Sequence, residues 1–487
     1  MRRLLTALLI LIVGLVPAAC RRHPQGELKV VVIGGQPRML DPAVDPLSRS
    51  DAVLIQNVAQ GLVRFDAAGN IVPGLAERWN VSDDGLSYIF RIASTQWPDG
   101  RRISAQQVAK ILNRYLSARS KSPIKDPLGA VDDVVAMTDR VIEIRLVAPR
   151  PNLLPLLAQP EMAIIRGGYG TGPFRYTLAG KTAEMKLSRD LSSPDEESSR
   201  KDELLLSGMG APEAIAGFAD AKSDLVLGGT FNDLPYVRRV KLPRNSVRFD
   251  PAAGLFGLVP TRSGGALDDA GLRAILSQAI DRDAFVAALG VGNLAPRATL
   301  LQPGLDGLNP PTQPAWLATP LDQRTAALSA GVGRIFGRGA KPVIRVAMPK
   351  GPGGELLLQL LMRDWGALGF TVQWAPGPAS ADFVLIDEVA PSSSPSWFVR
   401  RFSCAAVAVC DPTMNDILDS ARTSQVAAQR YALIAQAAQK IDEKQLFIPI
   451  TAPVRWSLVG NRVQNFAGNR YARHSLTDLD QKAGTDD

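Results

Sequence analysis

The sequence predicts an α/β protein of more than one domain, and three observations carry that prediction. The chain has 487 residues and is 46% hydrophobic, which fills a large core but exceeds one ordinary domain, so two or three are expected. Residues 342–386 run strand, helix, strand, strand: Pro342–Met348, a leucine-rich Glu355–Leu368, then Phe370–Trp374 and Asp382–Ile386. A separate early block of short alternating runs around Asp83-Asp84-Gly85 reads as a hairpin between Trp79–Val81 and Tyr88–Phe90.

The remaining elements follow in chain order. Glu27–Ile33 (ELKVVVI) is a strand, and GGQPRMLDP after it a loop. Ser50 is read as the cap of a helix over Asp51–Leu62. Ser104 caps a second helix, AQQVAKILNRYLSA, with Val108, Ile111, Leu112 and Leu116 on one face. Asp190–Glu203 is polar and serine-rich and reads as an exposed loop. Leu272–Leu289 has helical periodicity throughout, Leu301–Pro320 with its five prolines is an irregular connection, Gln425–Lys444 is a long amphipathic helix, and LFIPI after it is a buried strand. No fixed-period repeat is visible.

The net charge is +8, but lysines and arginines are scattered singly without aromatic interleaving, which argues against nucleic acid as a partner. The N-terminus is more telling. Arg2 and Arg3 precede a short apolar run, Leu4–Val16, which falls short of the roughly 20 residues of a spanning helix and reads as an export signal. It ends in Pro17-Ala18-Ala19-Cys20, which resembles the lipobox of bacterial lipoproteins, with Pro17 where leucine is usual. Residues 1–19 are therefore expected to be removed and Cys20 lipidated, leaving a protein soluble apart from its anchor. The alternative is an ordinary cleavable signal cut near Ala19.

Catalytic and metal motifs are missing. There are two histidines, His23 and His474, too few for a metal cluster or a nickel site. No G-x-S-x-G elbow and no phosphate-binding loop occur, so the glycines of GGYGTGPF read as turn residues. Carboxylate pairs such as Asp83-Asp84 and Glu196-Glu197 sit in polar turns or loops. The chain is expected to be no enzyme, with no cofactor and no metal, and to capture a small ligand between domains. Cys404 and Cys410 do not have C-x-x-C spacing. In an oxidising compartment, with so few histidines, they are expected to close a short disulfide loop.

Several stretches together resemble the family 5 extracellular solute-binding proteins, the peptide-binding group of ABC importers. They are PRMLDPAV; GLVRFDAAGNIVPGLAERWNVSDDGLSYIFRI; WPDGRRISAQQV, with Arg102 in place of proline and Gln106-Gln107 in place of Glu-Asp; GTGPFRY (Gly170–Tyr176); Ser223–Val226; and LRAILSQAIDRDAF (Leu272–Phe285). The resemblance implies a type II periplasmic binding protein of three domains (cluster C), with two lobes closing on a cleft. Domain I would comprise residues 27–60, 164–240 and 455–480, domain II the insert 61–163, and domain III residues 241–454. It further implies a monomer that delivers an oligopeptide or related solute to a permease and ATPase complex from the periplasmic, extracytoplasmic side, held to the membrane only by its lipid. A cell-wall-fragment sensor or a protein-interaction or chaperone module on the same fold is the alternative.

The resemblance also places the ligand. Pro46, Leu47 and Ser48 would lie along it. On the other wall the family carries an aspartate for the ligand's ammonium, but Pro391 falls at or near that position here. Asp387 or Glu388 is the expected substitute, with Val389 and Ala390 beside them, because a buried ammonium needs a partner. The alternative for Asp387 is a turn residue ending its strand.

Overall fold

The computed structural model describes residues 27–179, 184–191, 201–337 and 339–481. The export signal and Cys20 lie outside the described residues.

Two mixed sheets dominate. The larger has seven strands in the order Arg175–Leu178, Met185–Asp190, Lys201–Met209, Leu28–Ile33, Leu225–Thr230, Arg455–Val459 and Val247–Phe249. Leu28–Ile33 is its centre and runs parallel to both neighbours. The run LKVVVI suits that place because both faces of a central parallel strand are covered. Val30 and Val32 enter one core cluster, Val31 and Ile33 another.

The second sheet has five strands: Thr371–Trp374, Val343–Ala347, Phe383–Val389, Gly254–Pro260 and Ile448–Thr451. Its strand–helix–strand portion is the one expected from residues 342–386, with the helix at Pro352–Ala367. The largest core cluster is shared by the two sheets. Phe231, just past a strand of the first, meets Phe256 of the second edge to face at 4.8 Å.

A four-stranded antiparallel sheet, Ala76–Val81, Ser87–Ile92, Val141–Leu146 and Val131–Thr138, packs under helix Ala105–Leu116. Period-2 burial is explicit in SYIFRI: Tyr88, Phe90 and Ile92 are buried while Ile89 is exposed. Gly85 holds the hairpin turn at φ 68°.

Four expectations need correction. The first helix spans Arg49–Val58 and is capped by Ser48, not Ser50. Ser48 and Asp51 bond each other's backbone N–H in a capping box, which outcompetes Ser50, a buried residue of the first turn. The stretch Leu272–Leu289 is two helices, Ala270–Ala279 and Arg282–Leu289, because Asp281 leaves the helical conformation and caps Ala284 N–H at 3.0 Å. Lys201–Glu203, placed in a loop, pair instead with Ser188–Asp190. Val247–Phe249 bonds to Arg455–Val459 in the seven-stranded sheet. The chain therefore leaves that sheet after Phe249, not at 240.

Candidate functional site

Strand assignments make the chain cross from one large sheet to the other over residues 250–253 and return over 452–454. Beside these crossings lies a cavity of about 800 Å³, walled by Leu227–Asp233 of the first sheet and Val384–Pro391 of the second. That volume is in the range of small-molecule sites.

The first wall depends on a glycine pair. Gly228 sits at φ 84°, where the register against Arg455–Val459 shifts. A Cβ on Gly229 would lie 2.2 Å from the Trp456 ring, whose Nε1–H donates to the Thr230 carbonyl at 2.9 Å. The doublet lets the strand end kink over the indole and turns Thr230–Asp233 toward the cavity. Asn232 then accepts from Gly354 N–H at 3.0 Å and docks helix Pro352–Ala367 of the second sheet against the first.

Most charges in the cavity are already matched. Arg455 donates to the Asp387 carboxylate at 2.7 Å and to its carbonyl at 2.9 Å, joining the two sheets at a crossing. Both side chains are only 13% exposed. Burial pushes the Asp387 carboxyl up, against the pull of Arg455. Arg401 pairs with Glu388. Asp250, on the first crossing, accepts from Asn469 N–H and faces His474 Nε2 at 3.2 Å. Arg473 reaches Gln159 at 3.1 Å and Glu161 at 3.2 Å, while Gln159 donates to the Pro391 carbonyl at 2.9 Å. The C-terminal segment thereby ties residues near both crossings to Gln159 and Glu161, and Tyr471 stacks on Phe65 at 4.6 Å.

The expected site residues divide. Asp387, Glu388, Val389 and Ala390 line the cavity. Pro46, Leu47 and Ser48 are not among its lining residues: Leu47 packs against a small cluster of Ile55, Ala59, Ala163 and Ile165, and the Ser48 hydroxyl is occupied by the helix cap. The next residue, Arg49, does line it. Sequence reasoning missed Arg49, Asp233 and Arg455. The Gly228-Gly229 doublet at a strand end was a usable signal for the first wall; nothing local distinguished the arginines.

Cys404 and Cys410 are brought to disulfide-bonding distance, with Cα atoms 5.2 Å apart, in the loop between helices Pro395–Arg400 and Pro412–Thr423. The segment Pro391–Ser396 just before this loop is anchored. Ser392 and Ser393 are buried, and Ser393 donates to Asp306 at 2.6 Å, which also accepts from Asn152 at 3.2 Å. Among the described residues, no group of three or more His, Cys, Asp and Glu could hold a metal ion, and no helix is long and apolar enough to cross a membrane.

A mixed α/β chain of two large sheets, crossed twice beside a polar cavity, defines a type II periplasmic binding protein architecture. Residues 70–398 match the bacterial extracellular solute-binding proteins, family 5 middle region, and the chain belongs to that family. It is 24% identical to the probable di/tripeptide-binding protein 5 of Pseudomonas aeruginosa, over 85% of this chain and 88% of that one. Its fold is similar to that of the Escherichia coli murein tripeptide binding protein MppA, with TM-score 0.80 at 17% identity, covering 94% of this chain and 99% of that one. It is also similar to AgaA of A. tumefaciens R10, solved in complex with agropinic acid, with TM-score 0.73 at 18% identity, covering 95% and 99%.

Proposed function

We propose that this chain is the substrate-binding lipoprotein of an ABC importer. It would capture an oligopeptide or related small solute in the cavity and deliver it to a membrane permease and its ATPase. The observation that carries this reading is the cavity itself: about 800 Å³, lined from both sheets, beside two chain crossings on which the lobes can hinge. The relative named for di- and tripeptides supports the peptide class.

In this reading domain I comprises residues 27–60, 164–249 and 455–480, the insert 61–163, and domain III about 250–454, the boundary moved past Phe249 for the reason given above. Asp387, Glu388, Val389 and Ala390 form the second wall of the ligand site. The protein is a monomer of the extracytoplasmic side, anchored through Cys20, and Cys404 and Cys410 are bonded.

The test is calorimetry and thermal shift on the exported protein with di-, tri- and oligopeptides, set beside sugars and opines. A peptide that binds should add about 2.7 kcal/mol of stability at a hundred times its dissociation constant. Stabilisation by opines or sugars and by no peptide would overturn the peptide assignment.

A further inference from the structure

The charges facing the cavity are not equally available to a ligand. On the second wall Asp387 is held by Arg455, and Glu388 by Arg401. Near the crossings, Arg473 is held by Glu161, and Asp250 faces His474. Among the described residues lining the cavity, Arg49 and Asp233 are the full charges that stand in no salt bridge and face no imidazole, Asp250 being only 3% exposed beside His474. Both belong to the first lobe. Arg49 opens helix Arg49–Val58, and Asp233 follows strand Leu225–Thr230.

Each is fixed from one side and open on the other. Arg49 Nη1 donates to the Gly228 carbonyl, which leaves Nη2 and Nε for a second acceptor. Asp233 Oδ2 accepts from the Thr230 hydroxyl at 2.7 Å and Thr230 N–H at 3.3 Å, which leaves Oδ1. Gly228 and Thr230, the two anchors, stand two residues apart at the kinked end of one strand. The open faces of Arg49 and Asp233 therefore belong to the same stretch of the first wall of the cavity. Enclosure by the cavity walls works against the Arg49 charge, and the nearby Asp233 works for it, so an added anion at Arg49 would relieve the same strain.

We propose that Arg49 and Asp233 form a first-lobe clamp for a compact zwitterion, Arg49 holding its anionic group and Asp233 its ammonium. The second-lobe carboxylates, neutralised by their own arginines, take no part in charge recognition. This rests on the cavity being the solute site. A free α-amino acid and a dipeptide with free termini carry the same two groups, and the experiment separates them.

Calorimetry is run on the full exported chain with panels of amino acids and dipeptides, then with the N-acetylated and C-amidated forms of the best binder. The variants are Arg49→Gln and Asp233→Asn, with circular dichroism to confirm folding. Losing a charge-assisted contact should weaken binding about 10- to 100-fold. The N-acetyl penalty should vanish in Asp233→Asn and the amide penalty in Arg49→Gln, since the partner is already gone. Variants that bind the unblocked ligand as tightly as wild type, or penalties that persist in them, overturn the clamp and leave peptide capture standing. Binding of longer peptides alone overturns it in the same way. If nothing in any peptide panel binds wild type, the peptide reading and the clamp fall together.

Discussion

At the scale of single residues, a charge in this cavity is defined by its partner. Asp387 has the position expected of an ammonium acceptor, yet Arg455 occupies it at 2.7 Å. Asp387→Ala should therefore act on stability before affinity. It strands a largely buried guanidinium and should cost about 3 kcal/mol in urea unfolding. Asp233→Asn, which breaks no ion pair, should stay within about 0.5 kcal/mol of wild type. Asp442 supplies a pH test. Burial pushes its carboxyl up to about 7, with Glu443 adding to the shift and the Leu300 N–H, which it accepts at 2.9 Å, opposing it. A folded pKa above the unfolded one means that the native state holds the proton more tightly. The stability this provides is complete below about pH 4 and lost as pH rises through about 7. Asp442→Asn should match wild type at pH 4 and exceed it by about 4 kcal/mol at pH 8, read from urea unfolding across that range.

At the scale of elements, short side-chain devices decided boundaries that periodicity had left open. The Ser48–Asp51 capping box starts one helix, and Asp281 divides what reads as one amphipathic run into two. Such caps compete locally, and the winner depends on which carboxylate or hydroxyl reaches the free N–H groups. The cysteine loop belongs here as well. Cys404→Ser with Cys410→Ser should lower stability by about 2 kcal/mol in the chain-entropy account of so short a loop. Thiol labelling of unreduced, denatured protein should find neither cysteine free.

At the scale of the whole molecule, residues 126–159 are fastened to the segment that follows the second large sheet's strand Phe383–Val389 as well as to Arg473. Gln159 bonds the Pro391 carbonyl, Asn152 and Ser393 share Asp306, and Arg400 pairs with Asp126. The Gln159–Pro391 bond lies in the cavity lining itself, and together these contacts should favour the closed arrangement. Gln159→Ala should weaken ligand binding about 5- to 10-fold, one neutral hydrogen bond's worth. It should also raise the radius of gyration of the unliganded protein in small-angle scattering. Wild-type values in both measurements would show that the contact does not hold the lobes.

The alternation in SYIFRI, the valine run of LKVVVI and the strand–helix–strand of residues 342–386 were readable because burial on one face or two imposes a period on the chain itself. The motif order likewise fixed the family, and the second wall from Asp387 to Ala390 was found by position. What the sequence could not reveal was which of those charges remain free. Arg49, Asp233 and Arg455 come from segments up to 406 residues apart, from 49 to 455 in the numbering. Arg455 closes a pair with Asp387 while Arg49 and Asp233 stay outside one, and only the packing of the two sheets sets those distances. The sequence alone determined that this is a family 5 solute-binding chain; the tertiary structure decided which of the cavity's charges are paired, because an ion pair closes only where folding brings its partners together.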